Sequence, residues 1–281
     1  MSARPSSVRA VKHRLRGQPA SDGAGVKLTR VIGTRQFDGL DPFLMLDEFG
    51  SDQPGDYLAG FPEHPHRGFE TVTYMLDGRM RHRDNAGNEG LLEPGSVQWM
   101  TAGRGILHSE MPEQVEGLMR GFQLWVNLPA SEKMTAPRYQ EFPASAIPRV
   151  QLAPGAHAKV IAGQVGGIEG PVRAESTQAI YLDLLLVPGA AAVVPLPDGH
   201  NAFAYVYEGA AQIAATPITR GELAVLESAG EFRASAGAEG ARLILVAGRP
   251  LNEPVAKYGP FVMNTQAEII QAIHDFQAGR F

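Results

Sequence analysis

Residues 64–78 read HPHRGFETVTYMLDG, and both the fold and the chemistry of the chain follow from this stretch. Residues two positions apart on a strand point to the same face, so His64 and His66 can aim two ring nitrogens at one point. The run 71–76 is rich in β-branched and aromatic residues, and the Asp77-Gly78 pair that follows is a strong hairpin signal. The stretch therefore predicts a strand that ends in a hairpin turn, preceded by two histidines that could serve as a ligand pair.

A similar run recurs in the second half of the chain. Residues 73–78, TYMLDG, resemble residues 204–209, AYVYEG, at an offset of 131 residues, and each run closes with an acidic residue and a glycine. This match indicates an internal duplication. By the same offset, His64-Pro65-His66 corresponds to Pro195-Leu196-Pro197, which carries no ligand atom. The second half is therefore predicted to bind no metal.

Short strand candidates separated by turns occupy much of the remaining chain. The 281 residues include 32 glycines and 21 prolines, a composition that favours many short strands over long helices. Regular spacing of such strands favours a sandwich or barrel in each half. We predict an all-β protein with domains at 1–145 and 146–281. The strand candidates of the second half are Tyr181–Val187, Ala191–Val194, Leu223–Leu226 and Arg242–Val246.

The C-terminal segment is the clearest helix in the sequence. Residues 265–268, TQAE, form a capping-box pattern, in which the first and fourth residues satisfy each other's backbone N–H groups. Ile269, Ile273 and Phe276 follow at helical spacing, and Gly279 can end the helix. We predict an amphipathic helix that packs on a barrel.

The composition excludes several classes of protein. The chain has no cysteine, which removes disulfides, thiolate metal sites and cysteine nucleophiles, so histidine and carboxylate must hold any metal. The net charge of -5 and the lack of a long basic block give no indication of direct nucleic-acid or membrane binding. No window of about 18 apolar residues and no secretory-signal core are present, so we expect a cytoplasmic protein.

A second ligand pair, His108 and Glu110, follows the strand candidate 97–100 and a glycine-rich turn. If strand alternation continues from His66, Glu70 shares the inward face with Val72, Tyr74 and Leu76. Inward histidines among apolar side chains would be satisfied by a metal, whereas an isolated one would be an ordinary core residue. Two such pairs predict a four-ligand metal site, but periodicity alone leaves Glu70 and Glu110 both open as the carboxylate.

Other residues near these pairs have less specific interpretations. Arg67 and Arg104 flank the pairs, and a salt bridge to a neighbouring glutamate is favoured over binding of an anionic substrate. His82 is predicted to lie on the surface rather than behind the metal ligands. Trp99 and Phe69 could wall a pocket for a planar substrate, yet aromatic residues in small barrels are more often core.

Four long stretches resemble a known family. The arrangement of the histidines is similar to that of the cupins, which are small jelly-roll-like β-barrels. More closely, the chain resembles the pirin family. The stretches are 40–49, LDPFLMLDEF; 60–72, GFPEHPHRGFETV; 98–112, QWMTAGRGILHSEMP; and 253–264, EPVAKYGPFVMN.

The resemblance implies a fold, a metal and an activity. It implies two tandem cupin barrels with a C-terminal helix, of which the N-terminal barrel holds one divalent metal and the C-terminal barrel has lost its site. The implied ligands are His64, His66, His108 and Glu110, with Glu70 only a neighbour. The implied metal is Fe(II), although such ligands also suit other transition metals. For several members the family implies opening of a flavonol such as quercetin by O₂, and Glu110 would then also be the base that accepts the flavonol proton.

Two other classes of function remain open at this level. Some pirins are described as redox-responsive regulators, in which iron alters the surface presented to a protein partner, and no turnover is then needed. A cupin metal site also supports isomerase or hydrolase chemistry, because fold does not fix function. Oxygen uptake that depends on a flavonol would separate the dioxygenase from both.

Overall fold

The computed structural model describes residues 7–281 as an all-β protein, as predicted. No helix in this range is long and apolar enough to cross a membrane. In chain order the elements are β1 Val11–Arg16, β2 Gln18–Asp22, β3 Val26–Ile32, β4 Phe43–Ser51, β5 Phe61–His66, β6 Phe69–Asp77, β7 Met80–Asp84, β8 Glu89–Leu92, β9 Val97–Thr101, β10 Ile106–Pro112, β11 Met119–Asn127, β12 Arg138–Phe142, β13 Arg149–Ala153, β14 Ala156–Ala162, β15 Gln164–Val165, β16 Ile168–Glu169, β17 Ile180–Leu186, β18 Ala191–Val194, β19 Asn201–Ile213, β20 Thr216–Thr219, β21 Glu222–Leu226, β22 Phe232–Gly248, β23 Ala256–Tyr258, β24 Phe261–Met263 and α1 Gln266–Gln277.

The strands form two compact units that differ from the predicted domains at both ends of the chain. The first unit contains residues 18–145 and 251–281, and the second unit contains residues 7–17 and 146–250. The terminal segments change places because each one contacts elements far away in sequence. Strand β1 is antiparallel to β21 in the second unit. The C-terminal segment joins the first unit through a bridge between Arg67 and Phe261 and through the Arg67–Asp275 ion pair. The two compact units therefore differ from the continuous division 1–145 and 146–281 at the termini.

The first unit consists of two antiparallel sheets and a short terminal hairpin. One sheet has the strand order β12-β9-β6-β11-β4-β3-β2, and the other has the order β5-β10-β7-β8. The Asp77-Gly78 turn therefore connects β6 of the first sheet to β7 of the second, and the predicted hairpin between these two strands is wrong. The corresponding Glu208-Gly209 lies within β19, where the pairing register shifts. An acidic residue followed by glycine serves as a sheet-to-sheet turn in one unit and as a bulge in the other.

The second unit is built on one nine-stranded sheet with the order β1-β21-β19-β22-β17-β14-β13, to which β18 and β20 add at β22 and β19. Pairing places Val194 opposite Phe232 and Ala192 opposite Ala234, just as His66 pairs with Ile106 and His64 with His108 in the first unit. The residues equivalent to the histidines are therefore Ala192, Val194 and Ala234, all in the apolar core of the unit. The predicted equivalence with Pro195 and Pro197 is wrong, because the connection after β18 is longer than the one after β5.

The C-terminal helix has the predicted cap. Thr265 accepts a hydrogen bond from the Glu268 backbone N–H, and the Glu268 side chain accepts one from the Thr265 backbone N–H. Ile269 and Ala272 are buried against Phe261 and other apolar side chains of the first unit. The predicted amphipathic helix and its capping box are confirmed, but the helix belongs to the first unit.

The buried ammonium of Lys133 fixes the connection between β5 and β6. Its Nζ donates to the carbonyl oxygens of Gly68 and Val262 and to the side chain of Asn127, at 2.7–3.0 Å. Burial lowers the pKa of Lys133 to about 8. Three acceptors are thus gathered around one cation at the point where the chain leaves the ligand strand for the other sheet.

Gly68 permits this close approach, and we expect Gly68→Ala to destabilise the first unit strongly. Gly68 has φ +88°, and a Cβ there would collide with the carbonyl oxygen of Val262. Gly87 has nearly the same φ, +89°, but open space around it, so Gly87→Ala isolates the backbone cost of about 1–2 kcal/mol. Urea unfolding, monitored by tryptophan fluorescence, should show a clearly larger decrease in the free energy of unfolding for Gly68→Ala than for Gly87→Ala. Equal losses for the two variants would contradict the collision.

Candidate metal centre

Strand pairing brings the three predicted histidine ligands together. β5 and β10 are antiparallel neighbours, and their register places His108 opposite His64 and Ile106 opposite His66. One nitrogen from each of His64, His66 and His108 lies within 4.8 Å of the others. The edge strand β5 and its neighbour β10 thus form a three-imidazole cluster.

The ring spacing is that of ligands around one ion. The Nε2 atoms of His64 and His66 are 3.0 Å apart, and the ring centroid of His108 is 4.3 Å from that of His64 and 4.9 Å from that of His66. Two nitrogens that each lie about 2.1 Å from a metal at a right angle are separated by about 3 Å. The observed separation fits such a pair without rearrangement of the strands.

The hydrogen bonds of the rings leave nitrogens available for a metal. The Nδ1–H of His64 donates to the Pro62 carbonyl at 2.8 Å, so in the neutral ring Nε2 carries the lone pair. Within residues 7–281, the buried Nε2 of His108 has no hydrogen-bond partner. An unpaired buried nitrogen is costly, and a metal at the centre of the cluster would satisfy it. The side chains present therefore fit a bound divalent metal.

Burial keeps two of these rings neutral. It lowers the pKa of His66 and of His108 well below the usual value, and neighbouring histidines lower both further. A neutral imidazole is the form that binds metal. Because these rings do not take up protons near pH 7, little proton release is needed before a metal binds.

Glu110 lies on the same strand as His108 but holds other partners. Its Oε1 accepts from the Thr73 hydroxyl at 3.0 Å, and its Oε2 accepts from the Gln123 amide at 3.3 Å. Burial raises the pKa of Glu110, an effect that His64 and the hydrogen bond from Thr73 oppose. Glu110 lines the same cavity as His64 and His66, although it is not one of the three clustered side chains.

The alternative carboxylate, Glu70, is directed elsewhere. It is buried and accepts a hydrogen bond from the Thr101 hydroxyl at 2.6 Å, and it does not line the cavity. The chain changes sheets at Gly68, so alternation does not carry over from β5 to β6. Thr73, which contacts Glu110, faces the site, and the predicted inward face of Val72 and Tyr74 is wrong.

A cavity of about 700 Å³ opens onto the cluster. Its size lies in the range of small-molecule sites. Its wall is mainly apolar, and it includes a partly buried ion pair in which Arg30 donates to both carboxylate oxygens of Asp47 at 2.7–2.9 Å. Side chains that line it include Leu44, Met45, Phe49, Phe61 and Trp125.

The structure sorts the remaining sequence-based interpretations. Trp99 and Phe69 are core residues, as favoured, and the cavity tryptophan is instead Trp125, which sequence reasoning missed. Gln123 and Trp125 are two positions apart on β11, and this spacing could have indicated an inward pair. Arg67 does form a salt bridge, but with Asp275 at 2.7 Å rather than with a neighbouring glutamate.

His82 is not on the surface. It is 1% exposed, and its Nδ1 lies 3.4 Å from the Nδ1 of His108. β7 is the neighbour of β10 in the four-stranded sheet, so an inward residue of β7 lies against an inward residue of β10. The surface interpretation was wrong because the sheet order could not be read from the sequence.

Known proteins similar to this chain cover both units. Residues 25–126 match Pirin, and residues 181–281 match the Pirin C-terminal cupin domain. A pirin-like protein of Caulobacter vibrioides is 52% identical over 275 residues, covering 98% of this chain and 99% of its own length. Pirin of Homo sapiens is 45% identical over 263 residues, covering 92% and 88%. The crystal structure of quercetin 2,3-dioxygenase from Acinetobacter baumannii superposes with a TM-score of 0.91 at 36% identity, covering 98% of this chain and 99% of that one.

Proposed function

We propose that this chain, which belongs to the pirin family, is a metal-dependent dioxygenase that opens a flavonol ring with O₂ and releases carbon monoxide. The observation that carries the proposal is the three-imidazole cluster beside a buried carboxylate at the wall of a largely apolar cavity. The similar Acinetobacter structure, described as a quercetin 2,3-dioxygenase, supports the substrate class.

His64, His66 and His108 would hold the metal, with Glu110 as a fourth ligand. We propose Fe(II), although these nitrogen and oxygen ligands suit several divalent transition metals. When bound, the metal would supply a Lewis acid for the flavonol oxygen and a site for O₂. A divalent metal held by three neutral imidazoles and one carboxylate has an overall charge near +1. This charge favours binding of an anionic flavonolate over a neutral flavonol.

Glu110 would accept the proton of the flavonol hydroxyl. It is the one member of the proposed ligand set with a carboxylate oxygen to spare for the proton. Thr73 and Gln123 hold the carboxylate in place through one hydrogen bond to each oxygen. Gln123 can yield its bond when the carboxylate turns toward substrate or metal, since at 3.3 Å it is the longer of the two.

The cavity walls suit a flat, polyhydroxylated aromatic molecule. Trp125, Phe49 and Phe61 offer apolar ring surface, and the Arg30–Asp47 pair offers hydrogen-bonding groups within the same cavity. Aromatic rings and a few fixed polar groups are the usual means of orienting such ligands. The apolar walls would also exclude water from the reacting carbons.

Anaerobic reconstitution with Fe(II), followed by addition of quercetin and oxygen, tests the proposal. We expect oxygen uptake and carbon monoxide release in equal amounts, both dependent on metal and flavonol. His64→Ala combined with His66→Ala should lose metal binding and turnover together. A matched double variant, His157→Ala with His274→Ala, removes two exposed histidines and should keep both. A fully metal-loaded protein that consumes no oxygen with any flavonol would refute the dioxygenase.

A further inference from the structure

Behind His108, a hydrogen-bonded series of polar side chains runs from the buried His82 to the half-buried Tyr139 and Asp84. His82 Nδ1 lies 3.4 Å from His108 Nδ1, and His82 Nε2 lies 2.8 Å from the hydroxyl of Tyr139. The Tyr139 hydroxyl is in turn hydrogen-bonded to Asp84. The four groups come from three strands, β10, β7 and β12, and they are not explained by the proposed ligand set alone.

The proton positions in this series of hydrogen bonds follow from the requirement that His108 binds the metal through a neutral ring. If Nε2 of neutral His108 binds the metal, the ring proton must be on Nδ1, which then donates to Nδ1 of His82. His82 must carry its own proton on Nε2 and donate it to the Tyr139 oxygen. Tyr139 is then left to donate its hydroxyl proton to the Asp84 carboxylate. Every donor in the sequence meets an acceptor, and the direction is fixed from the metal outward.

The far end of this series is anchored. One oxygen of Asp84 accepts from the backbone N–H groups of Ala86 and Asn88 at 2.8–2.9 Å, and the other accepts from the Asn88 side chain at 2.7 Å. These bonds close the turn between β7 and β8. A carboxylate held by its own turn is a fixed acceptor, so the orientation of Tyr139 and His82 does not depend on a mobile surface group.

We propose that His82, Tyr139 and Asp84 are positioning residues that hold His108 in its metal-binding tautomer and orientation. The inference rests on the proposed metal site, but not on the proposed reaction. Groups that accept the second N–H of a ligating histidine raise its basicity and fix its ring, and their loss typically weakens metal binding about 10–100-fold. These three side chains act through His108 and do not line the cavity.

Cobalt binding tests this role without any turnover. The probe is Co(II), added to the metal-free full-length protein, with its dissociation constant measured by competition with a chelator and its ligand field read from the visible spectrum. We expect His82→Leu to weaken Co(II) binding about 10–100-fold and to shift the spectrum. His82→Gln offers an amide oxygen to His108 Nδ1 and should restore part of the affinity. Tyr139→Phe, which removes a single hydroxyl, should give a smaller loss in the same direction.

Tyr57→Phe is the matched control. The hydroxyl of Tyr57 donates to the Gly117 carbonyl at 2.8 Å in the same unit, and neither residue belongs to the series that ends at Asp84. The Tyr57→Phe variant should leave the Co(II) affinity and the visible spectrum unchanged. Wild-type affinity in both His82→Leu and Tyr139→Phe, or an equal loss in Tyr57→Phe, would overturn the inference. Wild-type protein that binds Co(II) but shows no flavonol oxidation after Fe(II) reconstitution would refute only the proposed reaction.

Discussion

Glu110→Gln is expected to abolish flavonol turnover while largely preserving the fold. Glutamine keeps the length and shape of the side chain and can still accept from the Thr73 hydroxyl. It cannot accept the flavonol proton, and loss of a general base typically lowers the rate about 10²–10⁴-fold. The rate should be measured as oxygen uptake at saturating flavonol and expressed per bound metal, so that lower metal occupancy is not mistaken for lost chemistry.

Glu70→Gln is the matched control for this experiment. Glu70 is also a buried glutamate of the first unit with a threonine hydroxyl as its partner, but it lies outside the cavity. The same chemical change at this position should leave turnover per metal near the wild-type value. Full activity in Glu110→Gln would refute the role of Glu110 as the general base. An equal loss of turnover in both variants would mean that the loss comes from a disturbed core.

The candidate histidine ligands could be predicted from the sequence because the pattern that identifies them involves only neighbouring residues. A His-x-His pair needs only the alternation of one strand, and His108 follows a recognisable strand and turn. The capping box at Thr265 is equally local. In each case a few neighbouring residues determine the structure, so nothing about the distant parts of the chain had to be known.

The errors came from long-range pairing. Which face of β6 points inward depends on Gly68, whose φ of +88° lets the chain change sheets and resets the alternation. The burial of His82 depends on β7 lying beside β10, and the exchange of terminal segments depends on the pairing of β1 with β21. Sequence periodicity within one strand carries no information about which strand lies next to it, so these features required the structure.

Acid is expected to destabilise the metal-free first unit steeply. Burial lowers the pKa of His66 and His108 well below 6.5 and that of His82 to about 4. In the unfolded chain these histidines bind protons below about pH 6.5, whereas in the folded protein they stay neutral. The unfolded state therefore binds more protons, and stability that is complete above pH 6.5 is lost as the pH falls toward the folded pKa values. Each group contributes about 1.4 kcal/mol per pH unit, so three approach about 4 kcal/mol per pH unit.

Tryptophan fluorescence isolates this effect, since Trp99 and Trp125 are the two tryptophans of the chain and both lie in the first unit. We expect the urea midpoint of the metal-free protein to fall sharply between pH 7.5 and 5.5. His66→Leu combined with His108→Leu should remove most of the slope, because an apolar side chain binds no proton in either state. The control variant, in which the exposed His157 and His274 are both replaced by alanine, should keep the wild-type pH slope of the urea midpoint. An unchanged midpoint between pH 7.5 and 5.5 in the wild-type protein would contradict the prediction.

Saturating Zn(II) should oppose the acid transition. A metal that binds only the folded cluster stabilises it by mass action, and it occupies the nitrogens that protons would otherwise take. Because protons and metal compete for the same lone pairs, the stabilisation should be largest near neutral pH and shrink as the pH falls. The double leucine variant should show no such gain from Zn(II), since it has lost two of the three imidazoles. Equal stabilisation of this variant and of the wild-type protein would place the bound metal away from His66 and His108, and the cluster would then have to be explained without a metal.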